Sequence, residues 1–188
     1  MNIRPAESGD FEAIKAVARE AWHDAYDELE ADLIDRTVDD WYTDDSMPLG
    51  APGTVVLVVE SAERHRGNAD RSRPVEDEEE SANESRSESG DGGDIVGFTH
   101  AVAQGETADI LRMYVQPDAQ GEGIGTDLHE YLLEQLEIYD VERVRSFDFA
   151  FNDTSRRFYE RLGFERTDTG EVTIEGEQYD EAVYTLDL

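Results

Sequence analysis

Between Asp109 and Gly125 the chain runs Asp-Ile-Leu-Arg-Met-Tyr-Val-Gln-Pro-Asp-Ala-Gln-Gly-Glu-Gly-Ile-Gly, and no other stretch limits the fold so tightly. An apolar, β-prone run stops at Pro117. A turn carrying Gly121, Gly123 and Gly125 follows, and an amphipathic helical pattern extends from Thr126 to about Glu137. A strand feeding a glycine-rich turn that opens a helix makes an anion site. The first helical N–H groups have no intrahelical partner, and the helix dipole is positive there. Glycine lets the backbone approach a phosphate without an intervening Cβ. A dinucleotide fingerprint needs GxGxxG and a P-loop needs a Gly-Lys-Ser/Thr ending, whereas the order here is GxGxG after Gln120. Spacing alone leaves open a phosphate cradle and a plain strand-to-helix connection.

At 188 residues the chain fits a single domain, 1–188, with room for a core. It has no cysteine, which excludes disulfides, Cys-based zinc sites and thiol catalysis. His23, His65, His100 and His129 show no HxH or HxxxH spacing, so no metal is expected. No apolar segment is long enough to cross a bilayer, and the first residues lack the pattern of a signal peptide. The expectation is a cytoplasmic protein that engages no membrane. The charge is extreme: 47 acidic against 16 basic residues, net −31, with Lys15 the only lysine. Acid spread along the whole chain suits a halophilic, haloarchaeal source, since molar salt screens charge within about 3 Å and carboxylates keep the surface hydrated. Mimicry of nucleic acid is the disfavoured alternative. Nucleic acid itself is a poor partner for such a surface, because phosphate contacts dominate its binding.

Asn2 to Arg4 reads as a short strand. Ser8 is expected to cap a helix in which Phe11, Ile14, Ala18 and Trp22 recur at helical spacing. A second helix is expected around 29–42, then a buried strand at 54–59. From 61 to 94 Arg, Glu, Ser, Gly and Asp dominate, and this segment reads as an acidic, disordered insertion between two strands. A docking tail or lid is the functional alternative. Strands at 95–102 and 107–115 form a hairpin around Gly105. A strand at 144–151, a short helix at 154–162 ended by Gly163, and strands at 164–172 and 179–186 complete the chain. The order β-α-α-β-β-β-α-β-α-β-β describes an α/β (α+β) fold, a mixed sheet with helices on both faces.

A second constellation runs from Asn152 to Phe164, Asn-Asp-Thr-Ser-Arg-Arg-Phe-Tyr-Glu-Arg-Leu-Gly-Phe. Ser155, Phe158 and Tyr159 share one helix face, and a tyrosine held there can donate a proton. With Gln120-Gly121-Glu122-Gly123-Ile124-Gly125 and the preceding Met113-Tyr114-Val115-Gln116-Pro117, this segment resembles the Gcn5-related N-acetyltransferase (GNAT) family. The family motifs are Gln/Arg-x-x-Gly-x-Gly/Ala and Asn-x-x-Ser/Ala-x-x-Phe-Tyr-Glu-x-x-Gly-Phe. The resemblance implies a mostly antiparallel sheet of about seven strands flanked by four helices. It implies acetyl transfer from acetyl-CoA to a primary amine of a small molecule or protein, by direct attack in a ternary complex. A non-catalytic acyl-CoA-binding domain is the alternative, and family precedent allows a homodimer.

By the same resemblance, backbone groups of Met113 and Val115, with Tyr114 between them, would pair with the pantetheine arm. Amides of Gly121, Glu122, Gly123, Ile124, Gly125 and Thr126 would cradle the pyrophosphate behind Gln120. Asn152 would bind the pantetheine arm, Arg156 or Arg157 a CoA phosphate, and Tyr159 would protonate the leaving thiolate. Asp109 is the candidate general base, with Glu106 and His100 as alternatives. Glu122 departs from the family, where many members carry Lys or Arg.

Overall fold

The structure, a computed structural model, describes residues 1–61 and 93–188. Strands β1 (Asn2–Pro5), β2 (Thr54–Glu60), β3 (Ile95–Gln104), β4 (Thr107–Val115), β5 (Arg143–Phe149), β6 (Glu165–Ile174) and β7 (Glu177–Asp187) alternate with helices α1 (Phe11–Ala25), α2 (Ala31–Trp41), α3 (Ile124–Leu136) and α4 (Asp153–Arg161) in the expected order. The strands form one sheet, β1-β2-β3-β4-β5-β7-β6. Among the described residues β4 and β5 are its only parallel neighbours. The acidic insertion expected at 61–94 lies, apart from its ends, outside the described residues. Those ends meet, because Ser61 N–H donates to Asp94 C=O at 2.9 Å between the paired strands β2 and β3.

The β2 sequence Thr-Val-Val-Leu-Val-Val-Glu is buried on both faces, as an interior strand requires. Val56 and Val58 pack with Phe98 and Phe149 under α1 and α2, while Leu57 and Val59 pack with Ala108, Ile110 and Val144 under α3. Period-2 alternation thus divides the core into two layers. Ser8 does not cap α1. It opens a one-turn 3-10 segment, Ser8–Asp10, where the Asp10 carboxylate accepts from Glu7 N–H at 2.7 Å. Asp10 then stands at the N-cap position of α1 without a side-chain capping bond to that helix. Helix α3 starts at Ile124, two residues before the amphipathic pattern does, because Gly123 supplies the left-handed N-cap at φ +89°.

One irregularity shapes the centre of the sheet. Strand β4 pairs with β5 only from Thr107↔Arg143 to Ile110↔Ser146. On its other edge it stays with β3 as far as Val115, but its register slips: His100 opposes Arg112 and Ala101 opposes Ile110. Leu111 is the extra residue. A bulge bends its strand and increases the local twist. Past Leu111, β4 therefore leaves β5, and a gap opens between the two strands.

Candidate active site

Gln116 N–H donates to Val96 C=O at 2.8 Å. Backbone groups alternate along a strand, so Val115 and Met113 direct theirs away from β3, into the gap. A ligand with amide groups could join β4 there as an added strand. Gln120, exposed on the turn, donates its side-chain Nε2 to Val115 C=O at 3.0 Å and ties the turn to the strand end. Tyr114 turns its ring to the other layer, its hydroxyl 3.3 Å from that of Tyr26.

Beyond the gap lies the α3 N-terminus. Gly121 (φ +80°) and Gly123 (φ +89°) both adopt the left-handed region and face open space. Gly125 answers to packing, since a Cβ there would stand 3.0 Å from the Phe158 ring. The N–H groups of Gly121, Gly123, Ile124 and Gly125 point to no backbone acceptor among the described residues. That of Thr126 is already taken by Gly123 C=O at 2.9 Å, so the cradle is one donor shorter than expected. Ile124 is buried and anchors the helix, whereas Glu122 is exposed.

Tyr159 is 5% exposed, stacked on Tyr184 and close to Ser146. Ser146 is the last β5 residue paired with β4, so the phenol sits where the strands part. Burial pushes its pKa up and keeps it protonated. Asn152 is the N-cap of α4: Oδ1 accepts from Ser155 N–H at 3.1 Å and Nδ2 donates to Asp148 at 3.1 Å. Its side chain thus holds the α4 entrance, and one amide hydrogen remains for a ligand. Arg156 pairs with Asp153 at 3.1 Å and Glu160 at 4.0 Å on its own helix, and Arg157 is exposed.

On the opposite layer the gap opens into a cavity of about 320 Å³. Trp22, Tyr26, Trp41, Tyr114, Phe147 and Phe149 supply aromatic walls, and Asp109, Asp148 and Glu181 supply carboxylates. Arg145 grips Asp109 at both oxygens, 2.7 and 2.8 Å. Asp148 accepts from Tyr26 Oη (2.9 Å), Phe149 N–H (2.7 Å) and Asn152 Nδ2 (3.1 Å). Burial still raises its pKa. Burial and the nearby Asp148 also raise that of Glu181. The alternative bases lie elsewhere. Glu106 is exposed on the β3–β4 turn. His100 is buried, with Nδ1 2.8 Å from Arg112, and burial and that cation lower its pKa to about 4. Sequence reading did not single out Ser146, Asp148 or Glu181. The pairing Ser146↔Ile110 has no local sequence signal, and single carboxylates carry none in so acidic a chain.

A family model described as an acetyltransferase (GNAT) domain matches residues 87–166. Among solved structures, the chain is similar to the PaiA N-acetyltransferase from Thermoplasma acidophilum in complex with coenzyme A, with TM-score 0.66, 17% identity and 96% of each chain covered. It is similar to a GCN5-related N-acetyltransferase from Rhodopseudomonas palustris, with TM-score 0.66, 18% identity, and 100% of this chain and 95% of that one covered. It is also similar to a ribosomal-protein-alanine N-acetyltransferase from Brucella melitensis, with TM-score 0.59, 21% identity and 100% of both chains covered. No curated protein matches the sequence. The fold is GNAT-like: seven mostly antiparallel strands with four helices.

Proposed function

We propose that the protein transfers an acetyl group from acetyl-CoA to a primary amine. The observation that carries this is the gap between β4 and β5. Outward-facing Met113 and Val115 line one side, the amides of Gly121, Gly123, Ile124 and Gly125, which meet no backbone acceptor among the described residues, lie beyond one end, and Tyr159 near Ser146 marks the other. The turn suits a pyrophosphate by those N–H groups, its positive dipole and two glycines facing open space. The strand edge suits the amide-bearing pantetheine arm. The aromatic cavity on the far layer suits an acceptor, whose neutral amine attacks the thioester carbonyl carbon while donors aimed at the oxygen stabilise the developing charge. Tyr159, held protonated, supplies the leaving sulfur with its proton.

The test is an acceptor screen of polyamines, amino acids, aminoglycosides and peptide N-termini with acetyl-CoA in high salt, following release of free thiol. Thiol release dependent on one acceptor class supports the transferase. Binding of acetyl-CoA with no turnover on any amine favours a binding module.

The acidic surface, which we attribute to a halophilic source, sets a further expectation. Exposed Glu122 brings a carboxylate to a phosphate-binding turn. Like charges about 4 Å apart in water cost about 1 kcal/mol. The screening length shrinks from about 10 Å at 0.1 M salt to about 3 Å at 1 M. The repulsion falls from about 0.7 to about 0.3 kcal/mol, so acetyl-CoA affinity is expected to rise roughly twofold between those concentrations of KCl. Calorimetric affinity that falls with salt would count against this placement of Glu122.

A further inference from the structure

We propose that Glu181 binds the acceptor as its ammonium and takes the proton that must leave before attack. This rests on the transferase reading above. Of the three carboxylates lining the cavity, two are already engaged. Asp109 is gripped at both oxygens by Arg145. Asp148 receives three hydrogen bonds, from Tyr26, Phe149 and Asn152, and serves as the knot between the end of α1, β5 and the α4 cap. Glu181 has no hydrogen-bond or ion-pair partner among the described residues. In the centre of β7 it opposes Phe149 on one side and Gly170 on the other. Gly170 makes room for it, because a Cβ at that position would stand 3.0 Å from Glu181 Oε2.

The other titratable groups lining the cavity are Asp109 and Tyr114 of β4, Asp148 of β5 and Tyr26 at the C-cap of α1, and no cation lines it among the described residues. A half-buried carboxylate facing a second acid and a wall of aromatic rings is a place that a cation stabilises, through charge and through ring faces alike. A pKa raised by burial and by Asp148 also moves Glu181 toward the range in which a general base operates.

The proton balance is complete. The ammonium R–NH3⁺ gives one proton to the Glu181 carboxylate. The freed lone pair forms the C–N bond to the acetyl carbonyl carbon, and the C–S bond breaks. Sulfur takes a proton from Tyr159, and the extra proton on the new amide nitrogen restores the phenol. Glu181 releases its proton to solvent.

The experiment compares wild type, Glu181→Gln and Gly170→Ala, using the fastest acceptor from the screen of polyamines, amino acids, aminoglycosides and peptide N-termini. Glu181→Gln keeps the side-chain shape and is expected to lower kcat about 100-fold at pH 7. The deficit should shrink as pH approaches the acceptor's own pKa, about 8 for a peptide N-terminus and about 10 for an alkyl amine, because the amine then arrives deprotonated. Gly170→Ala keeps the carboxylate but shifts it, and a smaller kcat loss with the same pH trend is expected. Unchanged kcat in Glu181→Gln, or a deficit equal at every pH, overturns the assignment of the base. A rise in KM alone overturns it too and leaves Glu181 only an anchor. A wild type that turns over no amine defeats the transferase reading itself, which separates the two failures.

Discussion

Replacing Tyr159 with Phe is expected to cut turnover by about 10²- to 10⁴-fold while leaving acetyl-CoA affinity unchanged. The phenol contributes nothing to the α3 amides or to the β4 edge, which are the parts suited to hold the cofactor. It sits instead beside Ser146, where β4 and β5 separate. A thiolate leaving there needs a proton, and a buried phenol whose pKa is pushed up keeps its own until one is demanded. The substitution preserves the stacking on Tyr184 and the edge contact with Phe164. Only the hydroxyl near Ser146 is lost, a stability cost of about 1 kcal/mol. Separate measurement of kcat and of acetyl-CoA affinity checks this. Full turnover in the variant would remove Tyr159 from the chemistry.

The second large effect is on folding. His100 and His129 are 1% and 3% exposed, each leaves Nε2 without a hydrogen-bond partner among the described residues, and each has a pKa lowered to about 4 by burial. Arg112 can only donate, so His100 Nδ1 accepts from it and the ring is neutral. His129 lies edge-on to Phe164 in the α3 layer. Between about pH 6.5 and pH 4 the unfolded chain takes up protons at both histidines and the folded protein does not. Stability therefore falls as pH falls through that window, by about 3 kcal/mol for each histidine. Asp148 and Glu181, whose pKa values are raised, run the other way and offset part of the loss. Denaturant midpoints measured from pH 7 to pH 4.5 should decline steadily, and His129→Phe should remove a large part of the slope. A flat profile would contradict the burial of neutral imidazoles.

Local chemistry carried much of this molecule in its sequence. The helix at Asn152 was legible because an N-cap, a shared apolar face and Gly163 sit within a dozen residues. The α3 turn was legible because backbone at positive φ needs glycine, and glycine shows in a sequence. What stayed hidden depends on partners distant in the chain. The Leu111 bulge arises from register against β3 and leaves no mark in β4 itself. Asp109 looked like a base from its place on a strand, yet the parallel register sets it opposite Arg145, an ion-pair partner 36 residues away. Glu181 becomes singular only once Asp109 and Asp148 are seen to be engaged and Gly170 is seen to leave it space. Ser8 is not the α1 cap for a local reason: a one-turn 3-10 segment, Ser8–Asp10, precedes the helix and puts Asp10 at the N-cap position.

The central claim is that the β4–α3 turn and the β4–β5 gap bind acetyl-CoA. Its most direct test is calorimetric titration of acetyl-CoA into the wild type and into Gly123→Val in molar KCl, with circular dichroism to confirm that both are folded. At φ +89° a β-branched residue is strained, so it displaces the turn that presents those amides. The expected result is one saturable site in the wild type, weakened at least about tenfold in the variant, a loss of about 1.4 kcal/mol. No binding by the folded wild type, or equal affinity in the two proteins, would contradict the account.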